Sequence, residues 1–295
     1  MRPEDREKAV FVVLRAISGN TFLREMLYLK GAYATEGHTG RPRSTQDVDF
    51  TVAEMLGTPN AEGERKVKRL FIEAVENHLE LQDRDRDWSL YQVSVNKSPS
   101  SKRHPRGWDS FEVRITLRIR GRARHTVKLE ITPEDDPIDS VEISCETGAV
   151  AEAESSAANT VKTYSAAEIV AEKLRAFLQS LPPYRIKMGG GDRTPRVRDI
   201  WDIAVLVEML GDQLDVESVA RKFQRKCASR LVDCCSVDDY SPKPDSIEIY
   251  RQNYEADDEL ATIPFNVAWK TMIELVGRIE NEFGLPGAFP IDEVS

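Results

Sequence analysis

The spacing of apolar residues changes along this chain, and that change restricts the fold more than any other feature. Two-residue alternation, which is typical of half-buried strands, occurs at 47–52, 88–95, 110–119 and 124–132. Helical spacing occurs in the first half at 6–18, 21–26 and 61–80, and in the second half at 165–180, 194–210, 215–232 and 265–283. The sequence therefore predicts an α+β domain at 1–150, followed by an α-helical domain at 151–295.

Local signals define several element boundaries. Segments 37–44 and 97–108 are polar and contain proline, so they predict exposed loops. Ser165 stands three residues before Glu168, which is the spacing of a capping box and predicts the start of a helix. The Thr-Pro pair at 194–195 has the residue types of an N-cap and a first helical position, so it predicts that the next helix begins there.

Composition excludes several classes of protein. The chain has 295 residues, with 41 Lys and Arg against 50 Asp and Glu, which gives a net charge of −9. This acidic balance argues against indiscriminate coating of nucleic acid, although it allows a local basic surface. The four cysteines form no CxxC pair, and no apolar run approaches the ~18 residues of a membrane span. We therefore expect a cytoplasmic protein with reduced thiols and no membrane partner.

The most informative short motif is Arg43-Ser44-Thr45-Gln46-Asp47-Val48-Asp49. Residues two apart on an extended chain share a face, so Asp47 and Asp49 would lie side by side, about 6.6 Å apart. Two such carboxylates can bind Mg²⁺, which prefers oxygen ligands and keeps positions for water and phosphate. The alternative is a solvated strand end that is capped by an Asx turn.

A further carboxylate lies in the predicted strand Val127-Lys128-Leu129-Glu130-Ile131. Three converging carboxylates are costly unless a cation neutralises them, so convergence of Glu130 with the first two would favour a metal site. Taken alone, Lys128 and Glu130 are better explained as the ordinary polar face of a half-buried strand.

Two features of the helical half place charge beside apolar residues. Lys173 projects from the flank of a buried stripe, and its ammonium either stays in solvent or enters a crevice to meet phosphate. Asp199 and Asp202 are three residues apart, so they share a helix face. The helix macrodipole explains one aspartate near a helix start, but it does not explain the flanking arginines.

Five motifs occur in a set order along the chain. They are Leu29-Lys30-Gly31, Arg43-x-Thr45-x-Asp47-Val48-Asp49, Lys128-Leu129-Glu130-Ile131, Ala171-Glu172-Lys173-Leu174-Arg175-Ala176 and Arg196-x-Arg198-Asp199-Ile200-Trp201-Asp202. Together they resemble the AbiEii-type nucleotidyltransferase family, the toxins of type IV toxin–antitoxin and phage-defence systems. The resemblance covers residues 6–210. The chain departs from the family at Gly31-Ala32, where a Gly pair or Gly-Ser is usual.

The resemblance implies a DNA-polymerase-β-like nucleotidyltransferase domain followed by a helical domain, with an interdomain active site that uses Mg²⁺ or Mn²⁺ and a nucleoside triphosphate. The implied catalytic residues are Asp47, Asp49, Lys173 and Asp199. The implied triphosphate contacts are Gly31, Arg43, Thr45 and Lys173. The implied metal ligands are Asp47, Asp49 and Glu130.

The acceptor of the nucleotide is a separate expectation. Relatives such as the mycobacterial MenT toxins modify RNA or protein, and some add pyrimidine nucleotides to tRNA 3′ ends. The resemblance thus implies transfer to RNA, tRNA in particular, which would block translation, and it implies a cognate antitoxin. Two alternatives are nucleotidylation of a protein or a small molecule, and a non-catalytic module that binds nucleotide or RNA.

A basic segment supports the RNA acceptor. Residues 97–128 contain ten Lys and Arg against two acidic residues. Arg118, Arg120, Arg122 and Arg124 alternate, so one strand face or hairpin tip would be strongly basic. Such a surface suits the phosphate backbone of RNA. The alternative is an edge strand that its charges protect against aggregation.

Overall fold

The computed structural model describes residues 3–41, 45, 47–52, 56, 58–98, 109–121, 123–133, 138–150, 159–189, 195–241, 243 and 245–290. The chain divides into two compact units, Met1–Tyr164 and Ser165–Ser295. Parts of the predictions lie outside the described residues: positions 42–44 of the first predicted loop, which include Arg43, together with Gln46, Arg122, Thr194 and positions 99–108 of the second predicted loop.

The first unit is built around one mixed sheet. Its helices are α1 (Pro3–Gly19), α2 (Thr21–Met26), α3 (Gly31–Thr39) and α4 (Ala61–Leu81). Its strands are β1 (Leu27–Lys30), β2 (Asp47–Val52), β3 (Trp88–Ser98), β4 (Ser110–Ile119), β5 (Ala123–Pro133), β6 (Ser140–Ser144) and β7 (Thr160–Tyr164). The sheet order is β3-β4-β5-β2-β1-β7-β6. Because β7 pairs with both β1 and β6, the first unit continues past residue 150.

One face of this sheet is apolar and the other is polar. Helices α1 and α4 pack on the apolar face, where Val48 and Phe50 of β2 join Leu129 of β5 in the buried core. Successive strand residues point to opposite faces, so the polar members of β2 and β5 lie on the other face. The burial of apolar side chains thus fixes which way the acidic residues point.

The second unit is helical. Its helices are α5 (Ala166–Ser180), α6 (Pro182–Lys187), α7 (Val197–Leu210), α8 (Val216–Arg230), α9 (Ser246–Glu255) and α10 (Phe265–Phe283). Helix α5 packs against α7 and α8, and α10 packs against α7. Phe177 of α5 lies in an aromatic cluster with Tyr240, Tyr250 and Trp269. Among the helices described, none combines the length and apolar character that crossing a bilayer requires.

The structure corrects two predicted boundaries. The loop predicted at 37–44 begins only after Thr39, because Gly37 and His38 belong to α3. Helix α7 begins at Val197 rather than at Pro195, and Arg196 is its N-cap. The start of α5 agrees with the prediction, since the Ser165 hydroxyl accepts the Glu168 backbone N–H at 3.2 Å.

Candidate active site

The candidate site of the first unit lies on the polar face of strands β1, β2, β5 and β4. Asp47 and Asp49 of β2 share this face, while Val48 and Phe50 between and after them are buried on the other. The shared face agrees with the alternation in the sequence. Thr45, just before β2, donates its hydroxyl to the Asp47 backbone carbonyl at 3.0 Å and so caps the start of the strand.

A row of charged residues crosses the sheet at Asp49. Antiparallel pairing with β1 places Lys30 opposite Asp49, and parallel pairing with β5 places Glu130 opposite Asp49 on its other side. Burial raises the pKa of the Glu130 carboxyl, and the nearby Asp49 charge raises it further. Lys30 donates to the Thr132 hydroxyl at 2.7 Å. Glu130 therefore lies on the same face as the two aspartates, and its repulsion from Asp49 is one that a cation would relieve.

A second row crosses the sheet at Asp47. Lys128 of β5 lies opposite Asp47, and its Nζ is 2.9 Å from Asp47 Oδ2. Glu112 of β4 is 3.7 Å from the same ammonium and accepts a hydrogen bond from Arg114 Nε at 2.7 Å. The hydrogen bond between Lys128 and Asp47 raises the pKa of the lysine, so Lys128 is charged at neutral pH. The polar face of the sheet, called the acidic face below, thus carries basic residues beside its carboxylates.

Gly31 lies directly against the Asp49 side chain. It begins helix α3 with φ +70°, and a Cβ atom added there would lie 2.3 Å from Asp49 Oδ2. A side chain larger than hydrogen would therefore displace the carboxylate. The N-terminal turn of α3 lies next to this carboxylate, and the N–H groups and dipole of a helix start favour negative charge.

The donor set fits a divalent cation that is shared with a substrate. Among the residues described, no three His, Cys, Asp or Glu side chains are grouped closely enough to hold a metal ion, so the structure does not group Glu130 with Asp47 and Asp49 as the three-carboxylate metal site that the resemblance implies. Mg²⁺ is commonly bound by one or two carboxylates, with phosphate oxygens and water completing its shell. The pair Asp47 and Asp49 on one face matches this requirement, because their oxygens are the hard ligands that Mg²⁺ prefers.

A buried charge cluster lies within the second unit. Lys173 of α5 is only 5% exposed, and its ammonium donates to Asp199 Oδ1 at 3.4 Å and to Asp202 Oδ2. Arg196 Nε donates to the other oxygen of Asp199 at 2.5 Å. A lysine with its ammonium in solvent is therefore the wrong interpretation of Lys173. Asp202, which lies on the same helix face as Asp199, contacts the same ammonium and is therefore a member of this cluster.

The basic hairpin of the first unit joins β4 and β5. Arg118 and Arg124 lie opposite each other, and their guanidinium carbons are 4.0 Å and 3.9 Å from the centroid of the Tyr91 ring. Tyr91 interrupts the β3–β4 register and is 41% exposed. Arg120, at the turn, pairs with Asp87 at 3.1 Å. Strand β4 lies between β3 and β5, so protection of an edge strand does not explain its arginines.

Comparison with known proteins gives a family and a fold. The family model described as "Nucleotidyl transferase AbiEii toxin, Type IV TA system" matches residues 13–282. The structure is similar to JHP933 from Helicobacter pylori, with 17% sequence identity, a TM-score of 0.53, and coverage of 95% of this chain and 94% of that one. It is also similar to MenT4, a nucleotidyltransferase toxin from Mycobacterium tuberculosis, with 15% identity, a TM-score of 0.44, and coverage of 97% and 96%. No curated protein matches significantly. The likeness to JHP933 confirms the expected α+β class, a sheet-bearing unit followed by helices.

Proposed function

We propose that this chain, which belongs to the AbiEii family of nucleotidyltransferase toxins of type IV toxin–antitoxin systems, transfers a nucleoside monophosphate from a nucleoside triphosphate to RNA. The observation that carries the proposal is the placement of Asp49 over Gly31 and beside Asp47 on one polar face. A pair of carboxylates, one of which lies against a helix N-terminus, suits a cation and a triphosphate together. The family also implies an antitoxin as a partner.

In the proposed reaction Asp47 and Asp49 would hold Mg²⁺ or Mn²⁺, and Glu130 is the third acidic residue of the site. Held there, the cation would neutralise charge at the α-phosphate and favour ionisation of the acceptor hydroxyl. The acceptor hydroxyl loses its proton to water, its oxygen bonds to the α-phosphorus, the bond from that phosphorus to the bridging oxygen breaks, and pyrophosphate leaves. The residues of this chain contribute mainly by positioning, which supplies on the order of 7–11 kcal/mol in favourable cases.

The triphosphate requires positive groups and close backbone approach. Gly31 has no side chain to hinder close approach to the backbone at the start of α3, where Asp49 already lies close, and a helix N-terminus favours phosphate. Arg43 and Thr45 are the further contacts that the motif implies. Lys173 is the remaining triphosphate contact that the motif implies, as a point cation. Asp199 positions Lys173, because one of its oxygens accepts from that lysine and the other from Arg196.

The basic hairpin of β4 and β5, with its two arginines over Tyr91, is the main support for an RNA acceptor. The chain has a net charge of −9, yet Arg118 and Arg124 place two guanidinium groups side by side. Both groups lie over the Tyr91 ring, which holds them in position. Guanidinium planes contact both RNA bases and phosphates. We therefore propose that RNA docks on the hairpin, and that the acceptor is the 3′ end of tRNA.

A labelling experiment tests the proposal. The protein is incubated with Mg²⁺ and each α-³²P-labelled nucleoside triphosphate, first with total RNA and then with lysate protein. We expect a labelled band of tRNA size whose intensity falls at least about 100-fold in Asp49→Asn. Asp212→Asn, which neutralises an exposed acid of the second unit, is the matched control and should label as wild type does.

The other outcomes separate the alternatives. A labelled protein band would identify a protein acceptor and contradict transfer to RNA. If no triphosphate gives any label, the chain would be a binding module rather than a transferase. Thermal unfolding of Asp49→Asn shows whether the variant is folded, so that loss of activity is not confused with loss of structure.

A further inference from the structure

Lys128 is a charged residue of the acidic face that the proposed reaction does not use. Its Nζ is 2.9 Å from Asp47 Oδ2 and 3.7 Å from Glu112 Oε2. Asp47 is opposite Lys128 in the register, whereas Glu112 is diagonal to it on β4. The ammonium therefore lies between two carboxylates, only one of which is a proposed metal ligand.

The bond to Asp47 conflicts with metal binding at the same oxygen. A divalent cation that is coordinated by Asp47 would lie within a few ångströms of the ammonium, and two positive charges at that separation repel each other strongly in a partly buried site. The Lys128 side chain is 27% exposed, so part of it borders solvent rather than other side chains. The lysine can therefore leave Asp47 by a side-chain movement alone.

Glu112 provides the place to which Lys128 can move. Its Oε1 accepts from Arg114 at 2.7 Å, which orients the carboxylate, and its Oε2 is the oxygen nearer to Lys128. A movement of about 1 Å would bring the ammonium from 3.7 Å to hydrogen-bond distance of that oxygen. The acidic face thus contains both the present partner of Lys128 and an alternative one.

We propose that Lys128 is the exchangeable counter-ion of Asp47: it neutralises the carboxylate when no cation is bound, and transfers to Glu112 when a divalent cation arrives. Lys128 is then a positioning residue that weakens metal binding by the free protein. The inference rests on the proposed function, because it takes Asp47 as a metal ligand.

Binding of Mn²⁺ alone, without any triphosphate, tests the inference. The paramagnetic resonance signal of free Mn²⁺ gives the dissociation constant. We expect Lys128→Met to bind Mn²⁺ about tenfold more tightly than wild type, because the competing charge is gone, and Lys128→Arg to stay near wild type. Lys162→Met is the matched control, since its ammonium pairs with Glu25 at 2.6 Å, and it should not change the affinity.

A double-mutant cycle separates the transfer of Lys128 from general electrostatics. Glu112→Gln removes the alternative partner, so we expect severalfold weaker Mn²⁺ binding in the wild-type background and little effect in the Lys128→Met background. Equal factors in both backgrounds, or an unchanged affinity of Lys128→Met, would overturn the inference. Asp47→Asn should abolish binding at this site. If it binds Mn²⁺ as wild type does, the metal site of the proposed function is wrong instead.

Discussion

At Gly31, both the backbone and a neighbouring carboxylate exclude a larger residue. Its φ is +70°, and an added Cβ would lie 2.3 Å from Asp49 Oδ2, so Gly31→Ala must displace that carboxylate. A misplacement of about 1 Å at a reacting centre can cost on the order of 100-fold in rate. We therefore expect Gly31→Ala to lose transfer activity by about that factor, measured with the labelled triphosphate.

Gly40 offers a control for the backbone cost. It also has a positive φ, +64°, but nothing lies within 4 Å of an added Cβ. Alanine at either position should lower the free energy of unfolding by about 1 kcal/mol, which denaturant titration measures. Only Gly31→Ala should lose activity. Similar losses of activity in both variants would mean that the close approach to Asp49 has no role in transfer.

Residues that share a face within one strand could be predicted from alternation, whereas the register between two strands could not. The shared face of Asp47 and Asp49 follows from two-residue alternation within one strand. The contact of Asp47 with Lys128 depends on the parallel register of β2 and β5. The two bonded residues are 81 positions apart in the chain. No local pattern specifies that register, although Lys128 already stood in one of the recognised motifs.

At the level of elements, close packing explains why residues 37 and 38, which were predicted to begin a loop, belong to helix α3. Helix α3 contains Gly37 and His38, residues that favour a loop. A Cβ at Gly37 would lie 3.0 Å from the Gly148 carbonyl and 3.1 Å from Ile143 Cγ2, so the small residue permits a tight contact with the β6 region. Tertiary contact thus outweighs helix propensity, and a single sequence does not reveal that contact.

A buried ion cluster joins α5 to α7. The Asp202 side chain is fully buried and bonds the Lys173 ammonium, which also contacts Asp199. Removing one member of a buried pair commonly costs about 3–5 kcal/mol, because the other charge is left undercompensated. We expect Asp202→Asn to lower the free energy of unfolding by about 3 kcal/mol, measured by urea denaturation.

The double variant Lys173→Met/Asp202→Asn distinguishes charge from shape. It removes the lysine together with one aspartate, so it should recover part of the stability that Asp202→Asn loses. Asp199 keeps its bond to Arg196 in this variant. A double variant that is less stable than Asp202→Asn would show that packing of the Lys173 stem, rather than its charge, holds α5 and α7 together.

At the scale of the whole molecule, net charge and local charge have opposite signs. The chain carries −9 overall, yet its hairpin presents Arg118, Arg120 and Arg124 together. The basic segment could be predicted from sequence by counting. Tyr91 could not, because it reaches the arginines through an irregularity in the β3–β4 register. The long-range field of an acidic chain repels RNA, so binding must depend on few, local contacts.

Two double variants, one in the hairpin and one elsewhere on the chain, separate the effect of local charge from that of net charge. Arg118→Ala/Arg124→Ala and the control Arg221→Ala/Arg278→Ala each change the net charge from −9 to −11, by −9 − 2. Only the first pair removes the stack on Tyr91, whereas the control arginines lie on α8 and α10. For single-stranded contacts, the salt slope of log affinity should fall by about 0.7 per lost phosphate contact, hence by about 1.4 in the hairpin variant. Binding of tRNA at several salt concentrations measures this, and an equal change in both variants would mean that overall charge, not the hairpin, governs RNA binding.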